Sequence, residues 1–583
     1  MATATFNHTK EEFRVCPVTS FRVDRKAELL MTFHAVVSIL CLSIGGTAAL
    51  LMGLHKMPSR APSILSISDK QYYQMVNIHG FNMLIFFIVW FEIAAGYFVS
   101  TAILNSKLYN IKLGYAAFGL MFLGTLMVEL NIFLDPDNST VMFTAYYPLN
   151  NYMGQGTSWT FFFGYILFAV GVLAAGLNFF GTVYVAQKSG SYPYKSLPLT
   201  VYGVFVAFII AVQAILNGAI VLIVSLLLSL GVIEPHSFDA DLWKQLFWGF
   251  GHTAQYINIS ATAAVWYALI GIAADAKPLN ERYSRMAFLF YLIFTVPVAT
   301  HHLIVDPAYS LPFKMFNATI FALGLAIPSL IHAMVIPGAL EKQTRLKHPE
   351  VKDSLFGWIR KLDWNEPAIP AVIWSVALFG FGGIMGSIQG TYQLNMITHN
   401  TLRINSHFHL TVVAGTTIAF MGLAYYFIEL IPRRKILFGN LKAIQIHIYA
   451  IGLSLLAMGM FIAGVQGAPR RTATYKYYEA GFPSMPNWDP GLLILGIGAI
   501  IAVIGGILFV TLIVFSLFFG EKLPREGEES QPIPPPAEIE KNGTHVGFEA
   551  PGTMVLGLIY MAMFMVFYIT TFIVLSLGWD IHR

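Results

Sequence analysis

Six histidines are the residues of this 583-residue sequence that are best suited to redox chemistry. They lie at about the same predicted depth, in the outer third of four different predicted membrane helices. Independent core histidines would not be expected to share one layer, whereas ligands of a common metal centre would. Neutral imidazole binds both haem iron and copper, so the layer predicts bound metal cofactors. The six residues are His79, His252, His301, His302, His407 and His409.

Two of these histidines stand two residues apart on one predicted helix, in the segment NSHFHLTVVAG. Because each helical residue turns by about 100°, the side chains of His407 and His409 point about 200° apart. They cannot easily bind one ion. The spacing therefore predicts that this helix holds two different cofactors, one on each side.

The adjacent pair His301 and His302 has a different geometry, because neighbouring helical side chains can both reach a metal that lies between them. His252, on another helix, could complete a three-histidine site of the kind that suits copper and keeps a position open for substrate. In the segment GHTAQY, Tyr256 follows His252 by one helical turn. This spacing predicts a phenol beside the metal, where it can supply both an electron and a proton.

The elements that must position these residues are membrane helices. The chain is 56% hydrophobic and only 11% charged, whereas an average soluble domain carries about 25% charged residues. Its apolar blocks are long enough to cross a bilayer, and lipid cannot satisfy an open backbone, so the fold class is all-α and polytopic. We expect one membrane-embedded domain over 1–583, with about thirteen helices. The expected spans are roughly 27–54, 72–102, 112–134, 156–187, 198–232, 242–274, 284–306, 313–341, 366–394, 401–431, 441–467, 488–520 and 551–578.

The loops between these spans predict the orientation of the chain. Most Lys and Arg residues fall on one face, which by the positive-inside rule is the inner face and carries the N-terminus. Residues 1–26 then form an inner tail without a removable signal peptide, and the charged, Pro-rich segment 521–550 forms an inner linker. Cys16 and Cys41 offer neither a disulfide framework nor a thiolate metal site.

Several longer segments give the sequence a family resemblance over nearly its whole length. They read NIHGFNM, GLNFFGTVYVAQ, HHLIVDP, THNTLRINSHFHL and QGAPRRT. The chain resembles subunit I of the haem-copper terminal oxidases, in particular the B-type enzymes of archaea and some thermophilic bacteria. This resemblance implies reduction of O2 to water at a high-spin haem paired with copper, coupled to proton translocation in a prokaryotic plasma membrane. It also implies two haems, one low-spin and one high-spin, of the A type, and one copper ion.

The same resemblance implies a role for each site residue. His79 and His409 resemble the axial ligands of the low-spin haem, and His407 resembles the proximal ligand of the high-spin haem. The remaining residues and their implied roles are His252, His301 and His302 as copper ligands, Tyr256 as the tyrosine covalently linked to His252, Arg470 and Arg471 as partners of the haem propionates, and His399 and Asn400 as residues near those propionates.

The branch of the family bears on the proton route. Where A-type oxidases carry a glutamate two residues after the first copper histidine, this sequence has Ala254, so the pathway that ends there is expected to be absent. Tyr267, Ser329 and His332 lie between the expected centre and the inner surface. Ionisable groups inside a membrane are costly and tend to be functional, so these three residues are candidates for a proton path.

Two other functions compete with the oxidase. A nitric oxide reductase shares the six histidines but uses glutamates in place of the linked tyrosine, and a secondary transporter would explain the hydropathy but not the histidine layer. For the electron donor we favour quinol over cytochrome c, by family resemblance alone. The other expected partners are O2, a subunit II, small membrane subunits and the lipid bilayer, with no nucleic acid.

Overall fold

Long helices make up most of the structure, which is a computed structural model. It describes residues 13–15, 22–57, 65–139, 144, 146–147, 157–189, 191–192, 196–234, 237–473, 487–524 and 550–578. Thirteen long helices lie within these ranges. They are α1 (Arg25–His55), α2 (Asp69–Ile103), α3 (Ile111–Leu134), α4 (Trp159–Lys188), α5 (Leu199–Ser229), α6 (Ala240–Ala274), α7 (Glu281–Val298), α8 (Leu311–Lys347), α9 (Ala368–Gln389), α10 (Leu402–Leu430), α11 (Leu441–Val465), α12 (Asp489–Phe519) and α13 (Pro551–Gly578).

Twelve of these helices are long and apolar enough to cross a membrane. The exception among the described residues is α7, because its first turns carry Glu281, Arg282 and Arg285. The expected all-α, polytopic fold class is thereby confirmed. The α7 helix also ends earlier than the expected span 284–306, since residues Ala299–Leu303 form a tighter 3-10 turn.

Short elements accompany the membrane helices. Strands β1 (Phe13–Val15) and β2 (Arg22–Asp24) form a small antiparallel sheet in the N-terminal tail, which the all-α expectation did not include. A short helix, Tyr392–Thr398, precedes α10. Residues 1–12 and 16–21 of the predicted tail and residues 525–549 of the predicted linker lie outside the described residues.

Side-chain caps explain where several helices begin. Asp24 accepts a hydrogen bond from the backbone N–H of Lys26 (2.9 Å) at the start of α1, and Asn110 caps α3 in the same way through Leu113 (3.1 Å). At α2, Ser68 and Gln71 form a reciprocal capping box. Each of these caps satisfies N–H groups that the first helical turn leaves without a partner.

Glycines let the last helices of the bundle approach closely. A Cβ atom added at Gly491 of α12 would lie 2.7 Å from the backbone nitrogen of Ala463 in α11, and one added at Gly505 would lie 2.7 Å from that of Tyr449. Small residues at such contacts allow membrane helices to pack by van der Waals contact, since burial of apolar surface drives little association in lipid.

Wider turns interrupt two of the helices beside predicted site histidines. In α2, residues Asn82–Phe86 are π-helical and follow His79 by one turn. In α10, the π-helical segment His409–Thr416 begins at His409 itself. Such wide turns re-aim neighbouring side chains and occur frequently at functional sites.

Candidate metal and redox site

One cavity of about 580 Å³ brings together most of the predicted site residues. Helices α2, α6, α8, α9, α10 and α13 line it, together with the turn after α7 and the loops before α10 and after α11. The predicted site residues on its wall are His79, His252, Tyr256, His301, His302, Ser329, His399, Asn400, His407, His409, Arg470 and Arg471. Tyr267 and His332 are the two predicted site residues that do not line it.

Three of the histidines form a compact group that we call the three-histidine cluster: His252, His301 and His302. Their ligand nitrogens lie within 4.8 Å of one another, and His252 Nδ1 lies 2.8 Å from His302 Nε2. Three nitrogens at about 2 Å from one ion are at most about 4 Å apart, so small side-chain rotations would close the cluster on a metal. No other group of this kind occurs among the described residues.

The cluster is assembled from a helix and a turn. His252 lies within α6, whereas His301 and His302 lie in the 3-10 turn that follows α7. The expectation that the adjacent pair would stand on a regular α-helix was therefore wrong. In the 3-10 turn both imidazoles still face His252, with ring centroids 4.1 Å and 4.9 Å away respectively.

A tryptophan that sequence reasoning missed supports this cluster. The indole of Trp248 stacks on the His302 imidazole with ring centroids 3.6 Å apart and an angle of 9° between the planes. Its Nε1–H donates a hydrogen bond to the Tyr146 hydroxyl (2.7 Å). Trp248 stands one helical turn before His252, and that spacing was the available sequence indication.

A second pair of histidines faces each other from α2 and α10. The rings of His79 and His409 have centroids 6.2 Å apart and planes inclined by 12°. His79 Nδ1 donates to the carbonyl of Gly45 (3.1 Å) and His409 Nδ1 to that of Asn405 (2.7 Å). Since a carbonyl can only accept, each Nδ1 carries the proton and each Nε2 is free to bind a metal.

His407 points away from His409, towards α9. Its Nδ1 donates to the carbonyl of Gly382 (2.7 Å), and a Cβ atom added at Gly386 would overlap the imidazole ring. The two neighbouring histidines of α10 therefore contact different helices. This matches the geometry that their spacing predicted.

Tyr256 is fully buried, and its ring centroid lies 5.8 Å from that of His252. Its hydroxyl has no hydrogen-bond partner among the described residues. Tyr291, which sequence reasoning missed, lies next to it with ring centroids 5.9 Å apart. The Tyr291 hydroxyl in turn lies 3.0 Å from Ser329 Oγ.

Below these residues, Tyr267 and His332 form a second hydrogen-bonded group. The Tyr267 hydroxyl lies 2.8 Å from both His332 Nδ1 and Ser284 Oγ. Ser284 also escaped sequence reasoning, and it donates to the carbonyl of Asn280 (3.0 Å) at the start of α7. The His332 and Tyr291 rings lie 5.8 Å apart, so the two groups are neighbours.

Arg470 and Arg471 lie in the loop after α11 and face the cavity. Burial lowers the pKa of Arg470 to about 9, and the neighbouring Arg471 adds to this shift. Burial, reinforced by Arg470, lowers the pKa of His399 to about 4. Neither arginine forms an ion pair with a carboxylate of the described residues. Arg470 instead donates to Asn400 Oδ1 (3.1 Å).

The sequence matches the family described as "Cytochrome C and Quinol oxidase polypeptide I" over residues 30–501. This chain belongs to that family. The matched range includes all of the long helices from α2 to α11 and every predicted site residue. The chain is thus the catalytic subunit of a terminal oxidase that reduces O2. Its cofactors are haem and copper, and it is a multi-pass protein of the plasma membrane.

Relatives of this oxidase subunit carry two kinds of name. It is 28% identical to "Cytochrome c oxidase subunit 1" of Thermus thermophilus over 436 residues, which cover 73% of this chain and 74% of the relative. It is 24% identical over 520 residues to "Probable quinol oxidase subunit 1" of Staphylococcus aureus strain USA300, covering 86% and 71%. A heme-copper terminal oxidase dimer solved by cryo-EM superposes with a TM-score of 0.78 at 25% identity, covering 92% of both chains.

Proposed function

We propose that His79 and His409 of this terminal oxidase are the axial ligands of a low-spin haem. Two metal–nitrogen bonds of about 2 Å occupy about 4 Å, and two ring radii account for most of the remaining distance between the ring centroids. The nearly parallel planes allow both Nε2 atoms to approach one iron. The carbonyls that hold each Nδ1–H fix the ring orientation before any metal binds.

We further propose that His407 binds the iron of a high-spin haem and that the three-histidine cluster binds one copper ion. The support is that His407 faces the same cavity as the cluster while pointing away from His409. Two haems and one copper ion then share a single layer of six imidazoles. The haem side chains are of the A type, by family resemblance. Held by these residues, iron and copper would supply the electrons for O2 reduction other than the one proposed below to come from Tyr256.

Arg470, Arg471, His399 and Asn400 are proposed to hold the haem propionates. Two adjacent guanidinium groups are partly buried at the cavity wall without a carboxylate among the described residues. Burying unpaired charge is costly, and bidentate guanidinium–carboxylate contacts would offset that cost. The low pKa of His399 keeps its imidazole neutral near pH 7, so that residue contributes a hydrogen bond rather than a charge.

Tyr256 is proposed to give a proton and an electron to O2 during turnover. Its buried hydroxyl lacks a partner and lies in the same cavity as the three-histidine cluster. This arrangement leaves the phenolic O–H available to a substrate. The covalent link to His252 that the family resemblance implies is part of the same proposal, and peptide mass spectrometry would detect it.

Protons are proposed to reach Tyr256 from the inner side through the hydrogen-bonded residues below it. Tyr267 can donate to Ser284 while it accepts from His332 Nδ1–H, or donate to His332 Nδ1 when the imidazole carries its proton on Nε2. In the second state, His332 takes the Tyr267 proton at Nδ1 and releases its own proton from Nε2, and Tyr267 regains a proton from the Ser284 side. The buried Nε2 has no partner among the described residues. Tyr291 and Ser329 extend this path to the cavity.

The basic loops support an inner N-terminus. In that orientation the six histidines lie near the outer surface, and the proton path opens on the inner one. Quinol is proposed as the electron donor, with a subunit II and small membrane subunits as partners. Cytochrome c is the alternative, since one of the similar proteins carries that name.

The observation that carries these assignments is the convergence of six histidines, from three helices and one turn, on one cavity. Replacing His302 with Ala tests it. We expect loss of copper and of O2 reduction with an intact low-spin haem spectrum, because His79 and His409 are untouched. Full copper content and activity would refute the assignment. O2 uptake supplied in parallel with quinol and with cytochrome c then identifies the donor.

A further inference from the structure

A buried glutamate without a counter-charge lies outside the cavity described above. Glu129 of α3 is 8% exposed and stands five residues before the end of the helix, or about 8 Å along its axis. Its Oε1 accepts a hydrogen bond from Asn82 Nδ2 (2.8 Å). No Lys or Arg of the described residues pairs with it. Ionisable groups at such positions in membrane proteins tend to be functional.

Two acceptor atoms of this pair have no donor. Glu129 Oε2 and Asn82 Oδ1 are both buried and lack a hydrogen-bond partner among the described residues. An ionised carboxylate here would rest on one neutral amide, which is costly in a medium that cannot solvate it. A proton on Oε2 removes the charge, and a bound water can donate to Asn82 Oδ1. The geometry therefore favours a site that takes up a proton.

The pair is mechanically connected to His79. Asn82 follows His79 by three residues and so lies on the same side of α2. Gly45 of α1 accepts the His79 Nδ1–H (3.1 Å), and a Cβ atom added at Gly45 would lie 2.9 Å from Asn82 Cβ. A change of charge at a metal bound to His79 would thus change the electrostatic potential at the Glu129 carboxyl group, because only one layer of packed atoms separates the two sites.

The other titratable groups around Glu129 are few. The Cys41 thiol of α1 is close enough to interact with it, and the His79 imidazole of α2 lies one turn from its partner Asn82. The α4 helix packs on the preceding turns of α3 through the uncharged residues Gly164 and Phe168. None of these groups is a Lys or Arg that could form an ion pair with the Glu129 carboxylate.

A row of polar side chains leads from Glu129 towards the inner surface. Thr125 lies one turn below Glu129 on α3 and accepts from Trp90 Nε1 (3.2 Å). The Trp90 ring lies 5.1 Å from that of His34. His34 Nδ1 donates to the carbonyl of Leu30 (2.8 Å). Its Nε2 must then be an acceptor, and it is buried without a partner among the described residues.

The row continues to the inner end of α3. The ring of Tyr97 lies 5.6 Å from that of His34, and its hydroxyl interacts with Asn178 without reaching hydrogen-bond geometry. Asn178 Oδ1 accepts from the backbone N–H of Asn110 (2.9 Å), the cap of α3. Polar atoms without partners thus recur along the row at His34 and Tyr97, where water molecules would satisfy them.

We propose that Glu129 and Asn82 form a proton-binding site that exchanges protons with the inner surface through water held along this row. The carboxyl group binds one proton when the neighbouring low-spin haem gains an electron, and it releases that proton when the electron leaves. This coupling rests on the proposed role of His79. The proton site itself does not, because it follows from the contacts of Glu129.

Infrared difference spectroscopy of the purified complex, between its oxidised and reduced states, tests the proposal. We expect a carboxyl C=O band that shifts in D2O and is lost in Glu129→Gln. The matched control is Glu92→Gln, which removes another intramembrane glutamate, one whose Oε1 is buried without a partner among the described residues. Persistence of the band in Glu129→Gln, or its loss in Glu92→Gln alone, would overturn the assignment.

Two further measurements separate the parts of the proposal. The midpoint potential of the low-spin haem should depend less on pH in Glu129→Gln than in the wild type, and an unchanged dependence would refute the coupling. His34→Phe should slow deuterium exchange of the band, and an unchanged rate would refute the route. If Glu129→Gln does not assemble, Asn82→Leu should shift the band, and an unshifted band refutes the site. A wrong assignment of His79 would instead appear as an intact low-spin haem in His79→Ala.

Discussion

Replacing Gly386 with Ala should disturb the proposed high-spin haem and leave the low-spin haem intact. A Cβ atom at position 386 of α9 would lie 2.9 Å from His407 Nδ1 and 3.1 Å from His407 Nε2. These separations are shorter than van der Waals contact, so the imidazole must move. The movement also breaks the hydrogen bond from His407 Nδ1 to the carbonyl of Gly382 (2.7 Å).

The magnitude follows from the two lost interactions. Forcing an extra methyl group into a packed site costs about 1–3 kcal/mol, and a neutral hydrogen bond contributes about 0.5–1.5 kcal/mol. Together they amount to roughly 1.5–4.5 kcal/mol. Since about 1.4 kcal/mol corresponds to a factor of ten, the His407–iron interaction should weaken between about 12-fold and about 1600-fold.

The assay is optical spectroscopy of the purified complex. Carbon monoxide binding reports the high-spin haem, and the reduced absorption spectrum reports the low-spin haem. His409 should be unaffected because its Nδ1 bonds within α10, to the Asn405 carbonyl (2.7 Å). Gly271→Ala is the control, since a Cβ atom there meets nothing within 4 Å. Wild-type carbon monoxide binding in Gly386→Ala would refute the reasoning.

Three other outcomes are expected. His332→Leu should slow O2 turnover without changing the haem spectra, because the proton path through Tyr267 loses the imidazole that relays the proton. Stopped-flow measurement of the rate of proton uptake checks this prediction, and a wild-type rate would contradict it. Glu341→Leu should lower stability by about 3–5 kcal/mol, because it leaves the partly buried partner Arg345 (2.7 Å) without its counter-charge. It also removes the acceptor of two backbone N–H groups at the start of α13 (2.9 and 2.6 Å). Thermal unfolding beside the exposed control Glu350→Gln measures the effect, and equal effects of the two substitutions would contradict it. Burial lowers the pKa of Lys56 from 10.5 to about 7, so between pH 7 and pH 10.5 the unfolded chain binds more protons than the folded one. The wild type should therefore gain stability relative to Lys56→Met as pH rises through that window. A difference in unfolding temperature that does not change with pH would contradict this sign.

The sequence by itself determined the class of the fold and the local geometry of two parts of the site. Apolar blocks of membrane length must be helices, because lipid offers no hydrogen bonds to an open backbone. The two-residue spacing of His407 and His409 required their side chains to diverge, and the four-residue spacing placed Tyr256 near His252. These conclusions depend only on distances along one helix, which the chain fixes locally.

The tertiary structure alone decided which residues from different helices meet. Periodicity identifies the face of a helix but not the partner of that face, so the contacts of Tyr291 with Ser329 and of Glu129 with Asn82 could not be read from the chain. The tight turn that carries His301 and His302 also escaped prediction. Helix packing brings together residues that lie tens of positions apart in sequence, and only that packing creates the cavity in which the six imidazoles meet.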